Sequence, residues 1–161
     1  MSAEPRPERF SAPAGYGIGD TPGELLPWAE VERWLESARN YWVATVRADG
    51  RPHAMPVWGV WLDDAVWFST DPRSLKGGNI ARDPRIVLHL ESGDEVAILE
   101  GTAEPVTDAL DAFIHAYDGK YGFRIDPGDE GMGIYRLRPR TTVAWRERDY
   151  PRSATRWRFA D

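Results

Sequence analysis

Cysteine is absent from the chain, which excludes disulfide staples, thiolate chemistry and cysteine-ligated metals and leaves the redox compartment open. Lysine is nearly absent too: eighteen arginines carry the basic charge beside only Lys76 and Lys120. Together with plentiful alanine, glycine and proline, that bias fits a GC-rich genome, and it makes a lysine in an anion-binding position more telling. Of three histidines, His89 and His115 lack an acidic partner at ligand spacing, so no metal site is expected. Neither a run of eighteen apolar residues nor an apolar signal segment occurs, so the expectation is a cytoplasmic protein with no membrane partner. No Walker loop or nucleophile elbow is present, and Gly15-x-Gly17-x-Gly19 follows no strand, which removes the dinucleotide fingerprint. Acidic pairs such as Asp94-Glu95 and Asp129-Glu130 sit in turns, where solvation explains them better than paired acid/base work does. A net charge of −6 argues against a nucleic-acid partner.

What is present reads as strands and turns. The 161 residues fit a single domain over 23–161 that buries roughly two-thirds of its unfolded surface. Residues 1–22, rich in proline and glycine and without periodicity, read as a mobile arm whose order would come from another subunit. Trp28, Val31, Trp34, Leu35 and Ala38 recur at helical spacing behind Pro27, which predicts a helix to about Arg39 that caps a barrel. Short strands are expected at 41–48, 51–62, 65–70, 85–91, 96–105, 133–138 and 141–147, interrupted by helices at Ser74–Arg82 and Thr107–Tyr121. The fold class is therefore mainly β: a Greek-key barrel of six to eight antiparallel strands with two or three peripheral helices. Thr155-Arg156-Trp157-Arg158-Phe159 alternates basic and aromatic residues and reads as a final edge strand. Eight tryptophans exceed what one small core needs, so some are expected at a subunit contact.

The informative stretch runs from Asp49 to Asn79. Asp49-Gly50 is a hairpin signal, and a strand follows to Leu62. Asp63-Asp64 turns the chain into Ala65–Thr70. Asp71-Pro72 then stops that strand, and Ser74 is placed to cap a helix carrying Lys76 in its first turn. Hydroxyls of Ser69, Thr70 and Ser74, free helix N–H groups and one ammonium would then form an anion site. Pro56 inside an apolar strand removes a ladder donor, so it belongs at an edge, where a flat ring could lie against the backbone. Alternation puts Met55, Val57 and Gly59 on the face opposite Trp58, Val60 and Leu62.

Gly50-Arg51-Pro52-His53-Ala54-Met55-Pro56-Val57-Trp58 and Phe68-Ser69-Thr70-Asp71-Pro72-Arg73-Ser74-Leu75-Lys76 closely resemble the split-barrel flavoproteins of the pyridoxamine 5′-phosphate oxidase superfamily. Within it they are most similar to the branch that uses the deazaflavin coenzyme F420. The similarity continues more weakly from about Trp34 to Phe159. It implies a homodimer with a cofactor pocket lined by His53, Met55, Pro56, Val57, Trp58, Ser69, Thr70, Arg73, Ser74, Lys76 and Asn79. It also implies F420, with FMN as the alternative, and hydride transfer to a conjugated or unsaturated small molecule. Residues matching Ser69, Thr70 and Lys76 meet the cofactor phosphate in this superfamily. Leu75 and Gly78 stand where arginines are common, Met55 replaces the arginine of the oxidases proper, and the chain lacks their C-terminal His-x-Arg. No catalytic residue is identified; water, Tyr121 or no group supplies the proton. An FMN oxidase or reductase, or a flavin- or haem-binding module without turnover, remains the alternative.

Overall fold

Asp63-Asp64 makes the two-residue turn expected of it, whereas Asp49-Gly50 closes a longer one between Val46 and Pro52. In the computed structural model, which describes residues 5–10, 12–18 and 23–160, Gly50 has φ +82° and Asp63 and Asp64 have φ +51° and +58°. Positive φ at both Asp63 and Asp64 gives a primed hairpin turn, and aspartate is among the few side chains that tolerate it; in the first turn only Gly50 is left-handed, and its N–H donates to the Arg47 carbonyl across Ala48-Asp49. The first turn joins strands β2 (Tyr41–Val46) and β3 (Pro52–Val57), the second β4 (Gly59–Leu62) and β5 (Ala65–Thr70). Further along come β6 (Arg85–Leu90), β7 (Glu95–Pro105), β8 (Gly133–Arg146) and β9 (Thr155–Arg158), with β1 (Arg6–Arg9) before them all.

These nine strands form one antiparallel sheet ordered β1-β9-β8-β7-β6-β2-β3, with β5 pairing both β4 and β8. The barrel closes through the chain rather than through hydrogen bonds. β3 pairs β2 and β4 pairs β5, so the single strand expected over 51–62 breaks at Trp58. Gly59 pairs Phe68, and continuing that register would set Val57 opposite Thr70, yet β3 and β5 share no ladder. The outer edge of β3 and the end of β5 therefore face each other across a split.

Alternation sorts the side chains into two cores. Tyr41, Val43, Val57, Val66, Phe68, Leu88, Leu99 and Leu137 fill the barrel, and Trp28, Val31, Trp34 and Leu35 of helix α1 (Trp28–Ser37) plug its end. The Glu30–Arg146 ion pair, 2.5 Å, ties α1 to β8. Outside the barrel, Val60, Ala65, Trp67 and Ile134 pack against Phe113, Ile114 and Tyr117 of α3 (Asp111–Tyr121). Helix α2 (Leu75–Arg82) lies over β2, and a short α4 (Tyr150–Ser153) precedes β9.

Several expectations needed correction. β8 runs unbroken through Pro139 because its register shifts beside Glu100/Gly101, so that Glu100 faces Thr141, Gly101 faces Pro139 and Arg140 is the extra residue. A bulge is one of the few sheet positions that spare the missing donor. α3 starts at Asp111 rather than Thr107, following Ala109 at φ +52°. The C-terminal run is a strand, β9, with Thr155 and Trp157 buried and the arginines turned outward, but it is not the edge. Arg6–Arg9, read as part of a mobile arm ordered by another subunit, pair with β9 of the same chain; residues 1–4, 11 and 19–22 of that arm lie outside the described residues. Four tryptophans, Trp28, Trp34, Trp67 and Trp157, are buried in the cores of the single chain. No helix among the described residues is long and apolar enough to cross a membrane.

Candidate functional site

The split gathers the polar groups. Ser74 stands just before α2 with extended backbone, and its Oγ accepts the Gly77 N–H at 3.0 Å. Lys76 Nζ donates to Thr70 Oγ1 at 2.8 Å, and the Thr70 and Ser74 hydroxyls lie 3.5 Å apart. The N–H groups of Leu75 and Lys76 have no acceptor among the described residues. One ammonium, two hydroxyls and two helix N–H groups suit a phosphate group. Burial pushes the Lys76 ammonium below its ordinary value, as expected of a cation waiting for a counter-charge. Gly77 permits this geometry: a Cβ there would stand 2.5 Å from the Pro72 carbonyl oxygen and 2.6 Å from that of Asp71.

Not every residue anticipated at the site converges on it. Ser69 points away from Thr70, as alternation demands, and donates to the Gly133 carbonyl at 3.2 Å. Arg73 has a side chain 74% exposed and forked onto Asp71, which holds that carboxyl below its usual range. Asn79 is 2% exposed and donates to Thr45 Oγ1 at 2.9 Å. Thr45 Oγ1 is in turn 3.4 Å from His53 Nδ1. Asn79 and Thr45 thus form a bridge from α2 to β3 under the sheet, and Asn79 supports the site from below. Met55 is 48% exposed on the edge strand, Val57 is buried in the barrel, and Pro56 sits opposite Trp42 with its other side unpaired.

Trp58 is exposed and stacks on Tyr121 at 4.7 Å with the rings 2° from parallel, while the Arg39 guanidinium lies 5.7 Å from its ring. Beside this stack is a cluster that sequence reasoning missed. Lys120 Nζ donates to the Gly59 carbonyl and to the Tyr41 hydroxyl, each at 3.0 Å. The Tyr121 hydroxyl takes the Gly59 N–H at 2.9 Å and lies 2.7 Å from the carbonyls of Gly59 and Arg39. Those contacts commit the hydroxyl to holding the chain at the strand break, so Tyr121 is poorly placed to donate a proton to a substrate. The signal that could have found Lys120 was its rarity, already used for Lys76.

Burial holds the Lys120 ammonium down at about 8, whereas in the unfolded chain it titrates near 10.5. Above pH 8 the unfolded state therefore binds the extra proton, and stability rises with pH through that window. Tyr41, Tyr117 and Tyr121, all raised by burial, oppose the trend only once tyrosines of the unfolded chain ionise near 10. Lys120→Met should melt no lower than the parent at neutral pH and flatten the rise in Tm between about pH 8 and 10. An unchanged slope in a pH series of thermal melts would assign the effect to other groups.

A split barrel with an anion turn facing an unpaired strand edge defines a class, and the comparisons agree with it. Residues 27–146 match the family model described as Pyridoxamine 5'-phosphate oxidase, and the chain belongs to that family. It is 31% identical over 116 residues to a pyridoxine/pyridoxamine 5'-phosphate oxidase of Acidothermus cellulolyticus, covering 65% of this chain and 51% of that one. The chain thus spans about half the length of that curated relative. Among solved structures it resembles the conserved hypothetical protein Rv2991 from Mycobacterium tuberculosis, with TM-score 0.67, 28% identity and coverage of 80% and 91%. An F420 reductase superposes with TM-score 0.58 at 25% identity, covering 69% of this chain and 94% of that one.

Proposed function

We propose that this protein is an oxidoreductase that holds coenzyme F420 in the split and passes a hydride to a conjugated or unsaturated organic molecule. The observation that carries the reading is the unpaired edge of β3 at Met55–Val57, set across the split from Thr70, Ser74 and Lys76. Thr70, Ser74, Lys76 and the α2 N–H groups would hold the phosphate. Backbone atoms of residues 55–58 would hydrogen-bond the ring edge, and Met55 would shield it from water. The cofactor supplies the hydride when bound. F420 carries a phosphodiester with one negative charge, whereas the phosphate of FMN is nearly dianionic. One half-buried lysine, with Arg73 committed to Asp71, matches the single charge better. The family relationship supports a flavin-type cofactor, and the F420 reductase among the structural relatives supports this choice.

Equilibrium titration by tryptophan quenching should show F420 binding at least tenfold tighter than FMN, about 1.4 kcal/mol. Reduction of a conjugated substrate should then proceed without peroxide in air. Tighter FMN binding with oxygen-dependent turnover would reverse the cofactors and make the protein an oxidase. Cofactor binding with no turnover across a substrate panel would favour a carrier, a reading that the commitment of the Tyr121 hydroxyl supports.

The proposal extends to a homodimer. The outer face of β2, β6, β7 and β8 carries Ala44, Val46, Val87, Thr102 and Thr141 around a groove of about 710 Å³, with Trp42 stacked on His89 nearby. A second copy seated there would bury more than about 2,000 Å² in total. Sedimentation at micromolar concentration should give a dimer; a monomer would remove this part of the proposal.

A further inference from the structure

On the flank of α2 away from β2 lies a cavity of about 570 Å³, within the range of small-molecule pockets. Its wall is aliphatic: Ile80, Val106, Leu110, Met132 and Ile134 line it. Four prolines, Pro72, Pro84, Pro105 and Pro127, complete the rim. Proline fixes its own φ, which stiffens this part of the wall.

Two observations give the cavity a chemistry. Tyr135 is 7% exposed and lines it, yet its hydroxyl has no hydrogen-bond partner among the described residues. Its ring stacks on Phe68 in the barrel, 5.6 Å away. The hydroxyl oxygen is not closed off from solvent, so a bound molecule can bond it without first breaking an internal hydrogen bond. Among the described residues, moreover, no arginine or lysine lines the cavity, in a chain with eighteen arginines, while Asp129 and Glu130 do. Arg73 stands nearby but is forked onto Asp71. The wall therefore disfavours anions, and with them the phosphate that the other flank of α2 would hold.

We propose that this cavity is a second binding site, separate from the split, for an aliphatic molecule with an uncharged or cationic head that hydrogen-bonds Tyr135. The reading does not depend on which cofactor the split holds, and the test is run without any flavin. Octylammonium, 1-octanol and octyl sulfate, all below their micellar concentrations, are titrated by calorimetry and by methyl NMR. The expected result is one site per chain, with shifts confined to Ile80, Leu110, Met132 and Ile134. The ammonium compound should bind at least tenfold tighter than the sulfate. Ala81→Trp, at an exposed rim position, should plug the mouth and abolish those shifts, and Glu130→Lys should narrow or invert the charge preference. In Tyr135→Phe the affinity for 1-octanol should fall severalfold. Absence of a saturable site, tightest binding of the sulfate, or shifts that persist in a folded Ala81→Trp protein would each overturn the proposal.

Discussion

Gly77→Ala should lower the melting temperature and weaken cofactor binding at least tenfold, whereas Gly78→Ala one residue later should raise the melting temperature and leave binding intact. The new methyl at Gly77 would meet two backbone carbonyl oxygens at 2.5 and 2.6 Å, and backbone cannot swing aside as a flexible side chain could. The first turn of α2 would have to lift from Asp71-Pro72, carrying away the N–H that Ser74 accepts and the Lys76 ammonium that Thr70 receives. Overpacking of this kind costs about 1–3 kcal/mol, which for a domain of this length is about 2–12 °C. At Gly78 nothing lies within 4 Å of the same methyl, and alanine in place of helical glycine contributes about 0.5–1 kcal/mol. Thermal melts and cofactor titrations of the two variants side by side check the claim. Equal behaviour would show that the close approach at Gly77 does not organise the turn.

The parts of this fold that depend on local chemistry were legible. Gly50 and Asp63-Asp64 took positive φ, Ser74 was a cap, and Pro56 required an edge; each stands where its backbone preference put it, though Asp49 itself stayed out of the left-handed region. What the sequence hid were consequences of pairing between distant segments. Nothing local in Pro139-Arg140 announces that Gly101, far along the chain, lets β8 bulge and continue. Likewise Arg6–Arg9 have no strand signature, because only the edge of β9 makes them a strand. The site followed the same division. Thr70, Ser74 and Lys76 meet because one cap and one turn of helix place them together, which short spacing encodes. Asn79 lay within that spacing too, but the side of α2 that faces β2 is set by tertiary packing, which turned it to Thr45. The Lys120 cluster joins α3 to Gly59 across about sixty residues, and no motif spans that distance.

Lys76→Ala should weaken cofactor binding by about 1.5–3 kcal/mol, the range for a charge-assisted hydrogen bond, or about 10- to 150-fold in Kd. The melting temperature of the cofactor-free protein should stay level or rise. Lys76 is half-buried, burial has already pushed its ammonium down, and among the described residues Thr70 is its one side-chain partner. Removing it therefore relieves a desolvated charge, while the Thr70 hydroxyl keeps Ser74 within 3.5 Å. That asymmetry separates a ligand-binding lysine from a structural one, since a structural cation would take stability with it. Arg73→Ala is the control from the same turn. Its side chain is exposed and forked onto Asp71, and exposed pairs contribute about 0–1 kcal/mol, so affinity should change less than about fivefold. Titrating both variants with F420 and with FMN decides the matter: if Lys76→Ala binds both as tightly as the parent, the phosphate lies elsewhere and the split is not the cofactor site.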